Sequence, residues 1–230
     1  MDANLYEVHA TVQRQCAIDL VNMCAPSTQQ ISSVLDIGCG TGFVSRALMT
    51  RFRHANYTLC DISPEMIRFC RNVYPNAQVL LCNAEEYAFG QRYDLVISNL
   101  AAHWFRDVEA FVLKMLKHSG CVVFSTLLRG SFESFFKLFE GTFPMDMYAA
   151  PMATYATRDE ISQIFDRHSL KATVFERDYE QKFANPYMAA LHFRNIGIQF
   201  PGNLRNAFVF KANSTPITLE YKALFVRVDA

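Results

Sequence analysis

Short apolar runs alternate with stretches of helical spacing from residue 31 to residue 128. Val34-Leu-Asp-Ile37 reads as a buried strand, and Phe43, Val44, Ala47 and Leu48 recur at helical intervals just beyond it. A second strand over 57–60 ends at Asp61. Ser63 then occupies a helix N-cap position, with Pro64 at the first helical position, where its missing N–H costs nothing. Further strands are predicted over 78–81, 93–98 and 121–125, the last after a helix with Phe105, Val108, Phe111, Val112 and Met115 on one face. Strands joined by stretches long enough to cross over predict a parallel sheet with helices on both faces. Continuously apolar strands agree, because such a sheet is buried on both sides.

The pattern changes after Leu128. Residues 130–152 are rich in Phe and Met, which predicts a packed helical insert or a cap over a ligand cleft. Thr157-Arg-Asp-Glu160 is a capping box opening a helix to about residue 168. A strand over 170–181, a helix over 186–196 ended by Gly197, and a final alternating strand over 216–228 follow. Four stretches result: an N-terminal helical segment (1–30), a Rossmann-like core (31–128), an insert or cap (129–168), and strands and a helix completing the sheet (169–230).

Lys plus Arg and Asp plus Glu both number 22, so the formal charge is zero, which argues against a general electrostatic grip on nucleic acid or an anionic membrane. Seven cysteines, an odd count without a Cys-x-x-Cys pair, fit neither a disulfide framework nor a zinc knuckle. They are expected to be reduced thiols of a cytoplasmic protein. Residues 1–12 are polar and do not read as a secretory signal, and 121–128 is too short an apolar stretch to cross a bilayer.

The most informative stretch runs from Val34 through Gly38-Cys-Gly-Thr-Gly42. Gly38, Gly40 and Gly42 permit a tight strand-to-helix turn that brings backbone N–H groups against a ligand. The loop lacks the Lys-Ser/Thr ending of a phosphate loop and the Gly-x-Gly-x-x-Gly dinucleotide spacing. Asp36, just before the first glycine, is placed to accept from an amino group. Asp61 ends the neighbouring strand, where a carboxylate can accept both hydroxyls of a ribose. Cys39 is expected to contribute its backbone.

These residues resemble the class I S-adenosylmethionine-dependent methyltransferases. The resemblance implies a seven-stranded, mostly parallel sheet with an antiparallel final strand, S-adenosylmethionine as cofactor and S-adenosylhomocysteine as product. It assigns the ribose to Asp61, the flanks of the adenine to Ile62 and Met66, and the adenine edge to Asn83 and Ala84. Asn99 and Leu100 match the positions facing the sulfonium and the acceptor. No metal is implied.

The likeness narrows further. Tyr6-x-x-His9-Ala-x-Val-Gln-Arg14, Ser98-Asn-Leu-Ala-Ala-His-Trp104, Ser125-Thr-Leu-Leu-Arg-Gly-Ser131, Leu191-x-x-x-Asn-Ile-Gly197 and Pro216-Ile-Thr-Leu are similar to the biotin-synthesis malonyl-acyl-carrier-protein O-methyltransferases. Members of that family often carry Gln where His103 stands. The resemblance implies a malonyl group on an acyl carrier protein as acceptor. Its free carboxylate, ionised at neutral pH with an ordinary pKa of about 4, needs orientation rather than a base. Tyr6 and His9 are the expected orienting groups, and Gln13 or Arg14 is expected to reach the methionine carboxylate. His103 and Trp104 are expected to wall the acceptor pocket, and Arg129 to pair with the malonyl carboxylate. Arg158, Arg177, Lys182, Arg194 and Arg205 offer scattered positive charge for an acidic carrier. Two other readings stay open: a different small carboxylic acid or quinone-type acceptor, and a non-catalytic assembly module on the same fold.

Overall fold

The computed structural model describes residues 2–24, 30–138, 155–198 and 215–229. Two helices, α1 (Ala3–His9) and α2 (Thr11–Met23), precede β1 (Ser33–Ile37). Then come α3 (Phe43–Arg51), β2 (Asn56–Asp61), α4 (Pro64–Val73), β3 (Gln78–Leu81) and β4 (Leu95–Ser98). A 3₁₀ turn at Ala102–Trp104 leads into α5 (Val108–His118), β5 (Cys121–Leu127) and α6 (Glu133–Lys137). The remaining described elements are α7 (Arg158–Arg167), β6 (Lys171–Phe183), α8 (Pro186–Asn195) and β7 (Ile217–Asp229).

The strands form one seven-stranded sheet in the order β3-β2-β1-β4-β5-β7-β6. The first five pair in parallel, whereas β7 runs antiparallel to both β5 and β6. This is the architecture expected from the sequence. Successive residues of the buried strands feed opposite faces. Val34 and Leu59 join a core with Leu20 of α2 and Leu48 of α3, while Leu35 and Val96 join one with Phe111 of α5 and Ile164 of α7.

Two local expectations need correcting. The crossover from β3 to β4 has no helix: residues 82–94 hold a turn at 84–86 and then irregular chain. Too few residues separate Glu86 from Tyr93 for a packed helix, and buried Phe89 fills that face instead. Ser63 does take the N-cap position of α4, but its side chain makes no capping bond. Asp61 Oδ1 accepts the Ser63 N–H at 2.8 Å in its place, because an aspartate two residues upstream closes the turn with its own carboxylate.

The Thr157 capping box forms in full, with Glu160 N–H donating to Thr157 Oγ1 at 3.2 Å and Thr157 N–H to Glu160 Oε2 at 2.7 Å. Of the insert expected over 129–168, residues 139–154 lie outside the described residues, as does Arg205. No helix among the described residues is long and apolar enough to cross a membrane.

Candidate functional site

The carboxyl ends of β1, β2 and β4 open into a cleft of about 500 Å³, within the range of roughly 300–1,000 Å³ usual for small-molecule sites. Sheet order lays out its contents. Asn83 follows β3, Asp61 ends β2, Gly38 and Gly40 follow β1, and Asn99 follows β4. Leu127 of β5 and Tyr221 of β7 close the far end. Tyr221 arrives there because Leu127 pairs with Ala223 in the antiparallel register, which carries Tyr221 past the end of β5.

The glycine loop and Asp61 are one unit. Gly40 N–H donates to Asp61 Oδ2 at 2.9 Å, and Ser63 N–H to Asp61 Oδ1 at 2.8 Å. Each carboxylate oxygen keeps a further lone pair for a ligand hydroxyl. Burial raises the Asp61 pKa, while the N–H groups of Ser63, Gly40 and Ile62 pull it back. Gly38 has φ +63°, and a Cβ there would lie 2.6 Å from Ala101 Cβ. Only glycine lets β1 turn this close to the loop after β4. A Cβ on Gly40 would stand 3.6 Å from the Tyr6 ring, so loop and phenol form a narrow passage.

The N-terminal segment supplies one wall. Tyr6 stacks on Phe43 with ring centroids 5.8 Å apart, and Glu7 pairs with Arg46 at 2.7 Å. Burial and the Asp61 charge push the Tyr6 phenol above its ordinary value, so it stays protonated at neutral pH. Gln13 lines the cleft, and its buried Oε1 has no hydrogen-bond partner among the described residues. Arg14 instead lies over the Phe43 ring, 4.8 Å from its centroid, and donates to the Glu7 carbonyl.

The loop after β4 supplies the opposite wall. Asn99 Nδ2 donates to the Gln13 carbonyl at 2.9 Å, and Leu100 sits in the left-handed region at φ +47°. His103 Nδ1 accepts the Leu127 N–H at 3.3 Å. The imidazole proton therefore resides on Nε2, which has no hydrogen-bond acceptor among the described residues. Burial lowers the His103 pKa to about 3, which keeps the ring neutral. Trp104 is 55% exposed on the cleft rim.

Several expected residues lie elsewhere. Asp36 is buried and does not line the cleft; its Oδ2 accepts from Ser45 Oγ at 2.6 Å. Desolvation raises its pKa to about 6, with the Ser45 hydrogen bonds opposing the shift. Met66 is fully buried outside the lining, and Gly42 serves as the N-cap of α3. Cys39 turns its Sγ into the core, 4.0 Å from Cys70 Sγ. His9 does not line the cleft, and the Arg129 guanidinium pairs with Glu160 at 3.2 Å on the surface. Ile62, Asn83, Ala84, Asn99, Leu100, His103 and Trp104 all reach the lining.

The sequence reading missed residues that long-range packing brings in. Tyr221, Phe132 and Ile198 join the cleft lining. Buried His192 meets Tyr221 there, Nε2 to hydroxyl 2.8 Å. Burial lowers the His192 pKa to about 4, so this pair is neutral too. No local motif marks them; the alternation of 216–228 signals only that Tyr221 faces inward.

The residues fit a nucleoside-bearing sulfonium cofactor. Asp61 has lone pairs for a ribose, Gln13 Oε1 is an orphaned acceptor suited to an ammonium group, and Gly40 leaves the space a Cβ would fill. Among the described residues no group of three or more His, Cys, Asp or Glu is placed to hold a metal ion.

A family model described as a methyltransferase domain matches residues 34–120. A malonyl-[acyl-carrier protein] O-methyltransferase of Acetivibrio thermocellus is 36% identical over 130 residues, spanning 54% of this chain and 46% of that protein. The chain thus covers about half the length of that relative. A protein of the same name from Priestia megaterium is 28% identical over 212 residues, covering 85% and 77%. Among solved structures, a plantazolicin methyltransferase, BpumL, bound to S-adenosylhomocysteine and a substrate analogue aligns with TM-score 0.61 at 16% identity over 98% of this chain and 88% of that one. A candidate methyltransferase of Bacillus halodurans aligns with TM-score 0.63 at 12% identity, covering 94% and 98%. At these identities the structures speak for the fold.

Proposed function

We propose that this chain is a class I S-adenosylmethionine-dependent methyltransferase of the biotin-synthesis type and methylates the free carboxylate of a malonyl group carried on an acyl carrier protein, a reading supported by its similarity to proteins of that name. The observation that carries the reading is a pair of neutral side chains in the cleft lining, Tyr6 and His103, the latter held by its hydrogen bond with the Leu127 N–H. The Nε2–H of His103 is fixed by the Leu127 N–H on its other nitrogen, and the Tyr6 phenol is held protonated by burial. Such groups orient an anion without taking a proton from it, which is all an ionised carboxylate requires.

Bound in the cleft, S-adenosylmethionine supplies an electrophilic methyl group on a positively charged sulfur. Asp61 holds the ribose hydroxyls, Asn83 and Ala84 meet the adenine edge, and Gln13 takes the ammonium group. Tyr6 and His103 aim the acceptor oxygen, while Trp104 and Phe132 keep water out. Restricting the acceptor in this way is worth on the order of 7–11 kcal/mol in favourable cases. The seven cysteines are free thiols, which suits work in a reducing cytoplasm.

The test mixes the purified protein with S-adenosylmethionine and malonyl carrier protein, and follows the intact acyl carrier by mass spectrometry. Malonyl-coenzyme A and succinyl carrier protein run alongside. A gain of one methyl, faster on the malonyl carrier than on either control, is the expected result. Methyl gain favouring the succinyl carrier reassigns the acceptor to another acid. Absence of gain on all three, with cofactor binding verified, removes the proposal.

A further inference from the structure

Ser125, a fully buried residue of β5, lies outside every role assigned above, yet its hydroxyl sits at a junction. Phe124 pairs with Ser98 at the end of β4, so Ser125 is level with the first residue of the loop that walls the cleft. Its Oγ accepts the Leu100 N–H at 2.9 Å and donates its own proton to Asn99 Oδ1 at 2.9 Å. Asn99 passes the connection on, its Nδ2 donating to the Gln13 carbonyl at 2.9 Å. One hydroxyl therefore joins β5, the loop after β4 and the N-terminal helices. It does so where Leu100 adopts φ +47°, a conformation that a non-glycine residue keeps only when its surroundings enforce it.

We infer that Ser125 is a positioning residue for methyl transfer: its hydroxyl holds Asn99 and Leu100 in the cleft-lining conformation and locks that loop to Gln13. A hydroxyl suits this because it donates once and accepts at the same time. Alanine would leave the buried Leu100 N–H unpaired and free the half-buried Asn99 amide to turn, so the loop would relax. The kinetic part of the inference rests on the proposed acceptor; the ligand-binding part does not.

The experiment compares Ser125→Ala, Ser125→Cys and Ser125→Thr with the parent, each verified as folded by its unfolding midpoint. Trp104 is the only tryptophan in the chain and belongs to the same loop, so its emission reports the loop directly. For Ser125→Ala the expected result has three parts: Trp104 emission altered in the free protein, S-adenosylhomocysteine affinity lowered at least fivefold, and kcat on the malonyl carrier lowered at least tenfold with KM within threefold. Ser125→Thr, which keeps the hydroxyl, is expected to restore all three to within threefold. If Ser125→Ala does not fold, the near-isosteric and weakly bonding Ser125→Cys carries the same expectation. Parent-like emission and affinity in the folded Ala or Cys variant would overturn the inference, as would a threonine variant as impaired as alanine. A parent that binds S-adenosylhomocysteine but leaves the malonyl carrier unmethylated refutes the acceptor assignment instead, with emission and affinity still deciding the role of Ser125.

Discussion

The backbone N–H of Gly40 donates to the Asp61 carboxylate across 2.9 Å, tying the loop after β1 to the end of β2 before any ligand arrives. Asp61 also receives the Ser63 N–H that opens α4, so a single carboxylate shapes the loop, starts a helix and offers its remaining lone pairs to the cleft. Asp61→Ala is expected to weaken S-adenosylhomocysteine binding at least tenfold, a loss of about 1.4 kcal/mol or more. Calorimetric titration checks this, and an affinity within twofold of the parent would refute it.

Gly38 predicts a loss of stability of a different origin. A methyl group there would meet Ala101 Cβ at 2.6 Å while the backbone stays at φ +63°. Neither atom belongs to a flexible side chain, so backbone must shift. Gly38→Ala is expected to cost about 2–5 kcal/mol, lowering the melting midpoint by on the order of 10 °C in a chain of this size. Gly90→Ala is the control, since a Cβ there meets nothing within 4 Å. Thermal unfolding should separate the two clearly.

Asp36 makes stability depend on pH. Burial raises its folded-state pKa to about 6 from 3.8. The folded chain then binds this proton more tightly than the unfolded chain, so the group increasingly favours folding as pH falls through 6, and fully so below 3.8. Above pH 6 the ionised carboxylate costs on the order of 3 kcal/mol. Asp36→Asn is expected to gain stability at pH 8 and to lose that gain by pH 4. Urea unfolding at both values tests the sign; an equal difference at both would contradict it.

His103 acts in the opposite direction. Its pKa falls to about 3 in the folded protein from 6.5, through desolvation. The unfolded chain takes up the proton first, so stability present above pH 6.5 is lost progressively as pH drops toward 3. His103→Gln keeps an amide donor and cannot titrate. Its unfolding free energy is expected to decline less than the parent's between pH 6.5 and 4, as read from denaturant curves.

The parallel half of the sheet was readable because its strands are short apolar runs followed by turn residues and, except after β3, by helical spacing. The glycine loop and Asp61 were readable for a related reason, since strand-end position follows from the strand alone. The β7 side of the cleft was not. Tyr221 lies on β7, and the insertion of β7 beside β5 brings it to the cleft with His192 of α8 behind it, while Ser125 of β5 meets the loop after β4 only through the β4–β5 pairing. Arg129 shows the converse: a loop position suggested a substrate contact, but Glu160 of the capping box lies across from it and takes the guanidinium. Side-chain destinations of this kind depend on pairings between distant segments, which local periodicity does not encode.

The sheet order also has a temporal consequence. β7 is the latest strand in the sequence, yet it stands between β5 and β6, pairing along its whole length with β6 and along seven residues with β5. During synthesis, β6 leaves the ribosome with an open edge and no neighbour until residues 217–229 follow. The parallel strands can assemble early, but β6 and the Tyr221 side of the cleft must wait for a strand that wedges into place afterwards. Non-local pairing of this kind folds slowly and leaves sheet edges exposed meanwhile. Between the emergence of residue 183 and that of residue 217 the nascent chain carries β6 unpaired, its edge guarded only by the charges along it.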